Sequence, residues 1–293
     1  MAIPVTVIIL TRNEAVNIAA CIDSLSVFGE IVIVDSGSTD QTREILRGTY
    51  PHIRVLEHPF KDFGQQRNWA LDHVKPAHSW ILFFDADERC TPAFADAIAS
   101  AVSEPGGNVG FFLCYRNMFL GQWIKRCTMY PTWQLRLLMA GRVRYQKDGH
   151  GQREVIDGRA GYIGVPYDHF GFNKGISEWI ARHNEYSTNE VELLESLRGA
   201  PLRLFDAFAR DRVQRHRALK RLGAHAPLRP VVRFLHLYVI RGGCLDGRAG
   251  LLYCGLQFAH ELHILAKGSE LNHARRAARH SHAPLSHANN ILE

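Results

Sequence analysis

The sequence predicts an α/β protein: a Rossmann-like, mostly parallel sheet with helices on both faces, followed by a mainly helical C-terminal region. Three observations predict it. Over the first hundred residues, short apolar runs rich in β-branched residues alternate with stretches whose apolar side chains recur every three or four positions. No charge interrupts Val5–Leu10 or Ile31–Val34, the pattern of strands buried on both faces. From Lys174 onward helical periodicity dominates.

The elements follow in order. Val5–Leu10 reads as the first strand. Ala15, Ile18, Ile22 and Leu25 then recur at helical spacing and mark one face of a helix. Ile31–Val34 is the second strand, and Ser38 with Gln41 three residues on is a capping-box pattern for the next helix. Ile53–Glu57 and Trp80–Phe84 read as further strands, with a helix over Gln65–Val74 between them. Thr91 before Pro92 starts a helix that runs out at Glu104-Pro105-Gly106-Gly107, and Val109–Tyr115 is another strand. From Arg116 to Asn173 the pattern loosens into aromatic, Gly-rich segments with short strands. Helices are expected over Ile176–His183, Glu190–Leu197, Leu202–Leu222, Val231–Ile240 and Leu251–Leu265, with a frayed tail after Lys267.

Composition narrows the classes. With 293 residues, 46% hydrophobic and 22% charged, the chain can build one large domain or two modest ones. There is no signal-peptide pattern at the N-terminus, and no run of 18 residues is free of charge. The six cysteines show no CxxC spacing, which fits reduced thiols better than a disulfide framework or a zinc site. The formal charge is +6, unequally shared. Residues 1–150 carry 15 basic and 15 acidic side chains, whereas residues 196–293 carry 16 basic and 6 acidic, or +10. A neutral body with a basic tail suggests a catalytic or binding unit beside a device that meets something anionic.

In an open α/β sheet, ligands bind beyond the carboxyl ends of the strands. Those ends carry the polar clusters here: Thr11-Arg12-Asn13-Glu14, Asp35-Ser36-Gly37-Ser38 and Asp85-Ala86-Asp87-Glu88. The third places three carboxylates in four positions, where their repulsion costs free energy unless something positive neutralises it. Asp85 and Asp87, two apart at a strand end, suit a hard divalent cation that also holds a diphosphate. An isolated DxD is otherwise a solvated turn. Neither GxGxxG after the first strand nor GxxxxGK[ST] is present, so no Gly-rich loop cradles the phosphates. Arg67 is a candidate cation for them, or a solvent-facing helix arginine.

Four motifs, Ile8–Glu14, Ile33–Asp40, Gly64–Leu71 and Phe84–Glu88, resemble in order and spacing those of family 2 glycosyltransferases over roughly residues 4–100. Tyr115–Gly121, Trp179–Ser187 and Leu245-Asp246-Gly247 extend the likeness to the bacterial lipopolysaccharide-core and exopolysaccharide branch, including the lipopolysaccharide core β-1,4-glucosyltransferase group. The resemblance implies a GT-A fold and inverting transfer of a sugar, by family default from a UDP-hexose, to a lipid-linked glycan. Within it, Asp35 would accept from the donor base, with Thr11 and Glu14 lining the pocket. Asp85 would bind the ribose, and Asp87 would coordinate Mg2+ or Mn2+, with Asp85 adjoining and His169 completing the shell. Arg67 would lie near the base or the phosphates. The general base falls in Asp148–Glu154, with Glu154 ahead of Asp148; this stretch departs from the simple His-Glu pair of relatives. Residues 1–107 would form the nucleotide-sugar half, 108–195 the acceptor half, and 196–293 a basic, membrane-associating region. That implies a cytoplasmic protein, peripheral on the cytoplasmic face of the inner membrane, with no nucleic-acid partner.

Two other classes stay open at this stage. A nucleic-acid-binding protein would use the basic tail but leave the strand-end carboxylates unexplained. A metal-dependent nucleotidyltransferase would share the DxD but would normally add a Gly-rich phosphate loop. In the tail, Arg203, Arg210, Arg212, Arg215, Arg217, Lys220 and Arg221 interleave with apolar residues such as Leu204, Phe205 and Phe208. That pattern suits a basic amphipathic helix on an anionic membrane, or helices packed on the catalytic body.

Overall fold

The chain folds around a nine-stranded mixed sheet, seen in a computed structural model that describes residues 2–148, 151–198 and 228–281. In chain order the first unit carries β1 (Ile3–Thr11), α1 (Ile18–Ser24), β2 (Phe28–Asp35), α2 (Thr42–Thr49), β3 (Arg54–Glu57), α3 (Phe63–His73), β4 (Trp80–Asp85), β5 (Glu88–Arg89) and α4 (Pro92–Ser103). It continues with β6 (Asn108–Phe119), β7 (Gln122–Trp123), β8 (Trp133–Met139), the hairpin β9 (Val143–Asp148) and β10 (Gly151–Ile156), then β11 (Arg159–His169). This unit comprises Met1–Trp179 with Leu237–Leu252; the second comprises Ile180–His236 with Tyr253–Glu293.

The sheet order is β3-β2-β1-β4-β8-β6-β11-β5, with β7 paired to β6. β3, β2, β1 and β4 are parallel, and β6 and β11 run the same way; β8, wedged antiparallel between β4 and β6, and β5 run against them. The Rossmann-like, mostly parallel α/β sheet is therefore present. Alternation along β1 explains its two buried faces. Val5, Val7 and Ile9 pack with Ile18, Ile22 and Leu25 of the α1 segment, Leu46 of α2 and Phe94 and Ile98 of α4. Ile8, between them, packs with Ala70 of α3, Val74, Phe83 and Tyr145 on the other face. Each such fully buried aliphatic or aromatic side chain contributes about 1.5–3 kcal/mol.

Local rules decide the helix starts. Thr91 Oγ1 accepts from Phe94 N at 3.2 Å ahead of Pro92, as the sequence predicts. The capping box at Ser38 does not form. Ser38 Oγ instead accepts from Asn13 N, and Asp40 Oδ1 takes Thr42 N at the start of α2. The expected loose region 116–173 holds long strands, because its aromatic and β-branched residues fit a pleated surface.

In the second unit, two expected helices are one, α5 (Ile176–Arg198), which starts within the first unit. The polar stretch 184–189 stays helical because Ser187 Oγ and Thr188 Oγ1 donate back to Asn184 O at 2.7 and 3.3 Å. Lys267 Nζ donates to the same two hydroxyls, at 2.8 and 2.7 Å. Val191 and Leu194 pack with Ile264. The helix expected over Val231–Ile240 is α-helical over Arg229–Leu235 and a π-turn over His236–Ile240. The last helix runs from Gly247 to Ser281, so the frayed tail after Lys267 is corrected to helix that far. The basic stretch 202–222 lies outside the described residues. Among those described, no helix is long and apolar enough to cross a membrane.

Candidate active site

Parallel register assembles the strand-end residues. Thr11 lies opposite Asp35, and Leu10 opposite Asp85, so three sequence-distant polar ends meet at one sheet edge. The two loops above it are laced together. Asn13, in the left-handed region at φ 56°, accepts from Thr39 N at 2.8 Å, while its own N–H donates to Ser38 Oγ at 2.9 Å. Ala15 N donates to Asp40 Oδ2 and Glu14 N to Thr42 Oγ1.

Asp35 is fully buried and its carboxylate is well occupied. It accepts from Gly37 N at 3.0 Å, Ser38 N at 2.8 Å, Thr11 Oγ1 at 3.3 Å and Arg43 Nε at 3.1 Å. Burial alone would raise this carboxyl, but the Ser38 hydrogen bonds and the Arg43 guanidinium outweigh it and hold it below its ordinary value. Arg43 also reaches Glu57 Oε2 at 2.8 Å, tying β2 to β3. Glu14, expected beside Asp35, turns elsewhere. It accepts from Asn17 Nδ2 at 2.9 Å and pairs with Lys174 Nζ at 2.6 Å, while burial keeps its carboxyl raised despite these partners.

The carboxylates at the end of β4 find the cation that their repulsion demanded. Arg136, in the middle of β8, forks onto Asp85, Nη1 to Oδ1 at 3.1 Å and Nη2 to Oδ2 at 2.6 Å, and reaches Glu88 Oε1 at 3.5 Å. Its side chain is 7% exposed. Burial would raise the Asp85 carboxyl, yet the charge and hydrogen bonds of Arg136, then Arg67, drive it well below the usual range. Glu88, deeper and holding Asp85 N, is pushed by burial to about 7. Arg67 Nη2 lies 3.6 Å from Asp85 Oδ1. It is buried, not solvent-facing, with its guanidinium over the rings of Phe63, Phe83 and Tyr145.

Asp87 and His169 come together although 82 residues apart in the chain. The short antiparallel pair of β5 and β11 sets His169 opposite Glu88, and Phe170 N donates to Asp87 O at 2.8 Å. His169 Nε2 then lies 3.3 Å from Asp87 Oδ2, while Nδ1 meets Asn117 Oδ1 at 3.0 Å. Since an amide oxygen only accepts, Nδ1 carries the proton and Nε2 faces Asp87. Burial would lower the imidazole, but the hydrogen bond and charge of Asp87, with Glu88 and Asp85 behind, raise it. No set of three His, Cys, Asp or Glu side chains among the described residues closes on one point. Among the described residues, Asp87 and His169 are the carboxylate and the imidazole at this edge that could face a divalent ion. A carboxylate beside an imidazole fits Mn2+ better than Mg2+, which prefers an all-oxygen shell.

Glu154 sits on β10 directly opposite Tyr145 of β9 and therefore shares its face. Asn68 of α3 clamps that hairpin, donating to Tyr145 O at 2.7 Å and accepting from Tyr145 N at 2.9 Å. The Tyr145 ring packs on Arg67, and burial drives its hydroxyl up to about 12. Glu154 is half-buried and forms no ion pair with its neighbour Arg153 among the described residues. Asp148 lies at the hairpin tip, paired with Gly151, and residues 149 and 150 are outside the described set.

Sequence reasoning missed Arg136, Arg43, Lys174 and Asn117. Only Arg136 carried a usable signal, a lone cation inside the apolar strand Trp133–Met139.

The sequence model of glycosyl transferase family 2 matches residues 6–163. The lipopolysaccharide core biosynthesis glycosyltransferase LpsC of Rhizobium meliloti (strain 1021) is 30% identical over 200 residues, covering 65% of this chain and 71% of its own. The SPbeta prophage-derived glycosyltransferase SunS of Bacillus subtilis (strain 168) is 35% identical over 81 residues, covering 27% of this chain and 19% of its own. Among solved structures, the mannosyltransferase PcManGT from Pyrobaculum calidifontis, in complex with GDP-Man and Mn2+, aligns over 92% of this chain and 87% of that one with a TM-score of 0.45 and 18% identity.

Proposed function

Since the chain belongs to glycosyl transferase family 2 and is a glycosyltransferase, we propose that it transfers a hexose with inversion from a nucleotide-diphosphate sugar, UDP-hexose by family default, to a lipid-linked glycan of lipopolysaccharide or exopolysaccharide synthesis. The similarity to LpsC supports the lipopolysaccharide assignment. The family match sets aside the nucleic-acid-binding and nucleotidyltransferase readings. The observation that carries the donor and metal assignment is the convergence of Asp85, Asp87, His169 and Arg67 on one sheet edge.

In this reading residues 1–107 grip the nucleotide and 108–195 present the acceptor. Asp35, with Thr11, shapes the base pocket. Asp85, kept ionised and aimed by Arg136, accepts from the ribose. Because both Asp85 oxygens are engaged by Arg136, holding the ion falls to Asp87 and His169 Nε2, with Asn117 fixing the ring. When bound, Mg2+ or Mn2+ would supply charge stabilisation at the departing diphosphate. Arg67 lies close enough to the same edge to add a second positive charge. The acceptor hydroxyl attacks the anomeric carbon from the face opposite the nucleotide, and Glu154 takes its proton, with Asp148 as the alternative base.

A panel of nucleotide sugars, scored for nucleotide release and for sugar transfer to lipopolysaccharide-core acceptors with and without Mn2+, tests this. One donor should turn over, with stimulation by the metal. Asp87→Ala should lower turnover by about a hundredfold, as expected when several kcal/mol of charge stabilisation are lost. Metal-independent turnover untouched by Asp87→Ala would remove the metal assignment.

A further inference from the structure

Within the first unit, the segment Leu237–Leu252 presents large aliphatic side chains to the exterior. Val239 is 56% exposed, Ile240 75%, Leu245 69%, Leu251 45% and Leu252 41%. They stand on a π-turn, a 3-10 turn at Gly243–Asp246 and the first turns of the long terminal helix, so their outward direction is set by hydrogen-bonded backbone. Leu237, Gly243, Asp246 and Ala249 between them are buried.

Asp246 explains the rigidity. Its Oδ2 accepts from Arg126 N at 2.8 Å and Cys127 N at 3.0 Å, and its carbonyl accepts from Gln122 Nε2 at 2.8 Å. Arg241 Nη2 adds a contact to Tyr130 O at 3.5 Å. The segment is thus riveted to residues 122–130, which follow directly from β6, the strand whose Asn117 fixes His169. Asp246 is also the segment's one carboxylate, and it is taken up by these backbone donors and by the Arg126 guanidinium, Nη1 lying 3.7 Å from Oδ1. The other charged side chains on this segment and on residues 122–130 are Lys125, Arg126, Arg241 and Arg248. A face led by exposed aliphatic side chains, bordered by the exposed Lys125, Arg126 and Arg248 and with its one carboxylate turned inward, matches an anionic lipid leaflet.

We infer that Val239, Ile240, Leu245, Leu251 and Leu252 form a docking surface that inserts into the interfacial layer of an anionic bilayer, with Lys125 and Arg248 reaching its head groups. This deepens the reading of a lipid-linked acceptor and rests on it for its purpose: the surface would hold the catalytic unit where that acceptor is anchored.

The test is co-sedimentation of the full chain with phosphatidylglycerol/phosphatidylcholine vesicles and with phosphatidylcholine alone, beside the variant Ile240→Asp/Leu245→Asp. Cys244, exposed between the two positions, carries an environment-sensitive thiol probe in a parallel sample. The expected result is binding to the anionic vesicles, a blue shift of the probe, and about thirtyfold weaker partitioning of the variant, or about 2 kcal/mol at 1.4 kcal/mol per decade. Undiminished binding by the variant, or binding without a probe shift, overturns the inference and moves the contact elsewhere on the chain. Absence of vesicle binding also overturns it, as does self-association that the double substitution abolishes, which would make the face an interface between copies. Transfer to a detergent-dispersed acceptor, measured on both proteins, separates the outcomes. It should be the same for wild type and variant, and its absence from both would count against the acceptor reading and not against the surface.

Discussion

Arg136 is the residue on which the acidic edge depends, and removing it should show as both instability and weaker donor binding. In Arg136→Leu, the Glu88 carboxylate, with a side-chain exposure of 3%, loses the guanidinium 3.5 Å from its Oε1, while Asp85, 34% exposed, retains Arg67 at 3.6 Å. Breaking a buried ion pair from one side costs about 3–5 kcal/mol. The partial exposure of Asp85 and its second cation place this case near the lower limit, about 3 kcal/mol. For a chain of this size that is a fall in Tm of roughly 6–12 °C. Adding Glu88→Gln removes the deeper carboxylate, so the double variant should regain about 1 kcal/mol relative to Arg136→Leu. Arg136→Lys should keep most of the stability but bind donor more weakly, because an ammonium cannot hold both Asp85 oxygens as a fork does. Differential scanning fluorimetry and calorimetric titration with the nucleotide diphosphate read the two effects. An Arg136→Leu protein that melts within about 2 °C of wild type and binds nucleotide normally would refute the role given to this arginine.

Two further outcomes are expected. Glu154→Gln should lower kcat by about a hundredfold while leaving the dissociation constant of the donor unchanged, and an unaltered kcat measured with saturating donor moves the proton acceptor to another residue. Asp35→Asn bears on pH: the folded carboxyl lies below its ordinary value, so its stabilisation is fully present above the unfolded pKa near 3.9 and fades as pH falls through the folded value. The Tm gap between wild type and Asp35→Asn should correspond to about 1 kcal/mol at neutral pH and close in acid; a gap constant down to pH 3 contradicts this assignment.

Much of the proposed donor side was legible because it rests on local pattern. Runs such as Val5–Leu10 and Trp80–Phe84 can hardly be anything but buried strands, and parallel order then brings Thr11, Asp35 and Asp85 to one edge. What escaped depends on distant partners. Ser38 offers a capping box, but Asn13, 25 residues earlier, takes its hydroxyl. Arg136 stands 51 residues from Asp85, and nothing local announces that β8 will insert antiparallel beside β4. The stretch 184–189 looks like a loop until hydroxyls bonded back to Asn184 keep it helical. Arg67 was visible as a motif residue, but its burial among Phe63, Phe83 and Tyr145 needed the hairpin to be in place.

The hairpin that carries Glu154 belongs to a different hydrogen-bond ladder from the strands that end in Asp35 and Asp85. It is joined to α3 through the paired bonds of Asn68 with Tyr145. The two parts of the proposed site therefore age separately under mutation. A change of length or tilt in the ribbon re-aims one carboxylate without shifting any rung of the parallel ladder, whereas a one-residue slip in β1 would exchange the side chains packed on its two buried faces and take Thr11 out of register with Asp35. On the proposed roles, divergence in what is glycosylated can accumulate on the ribbon while the grip on the nucleotide stays as it is.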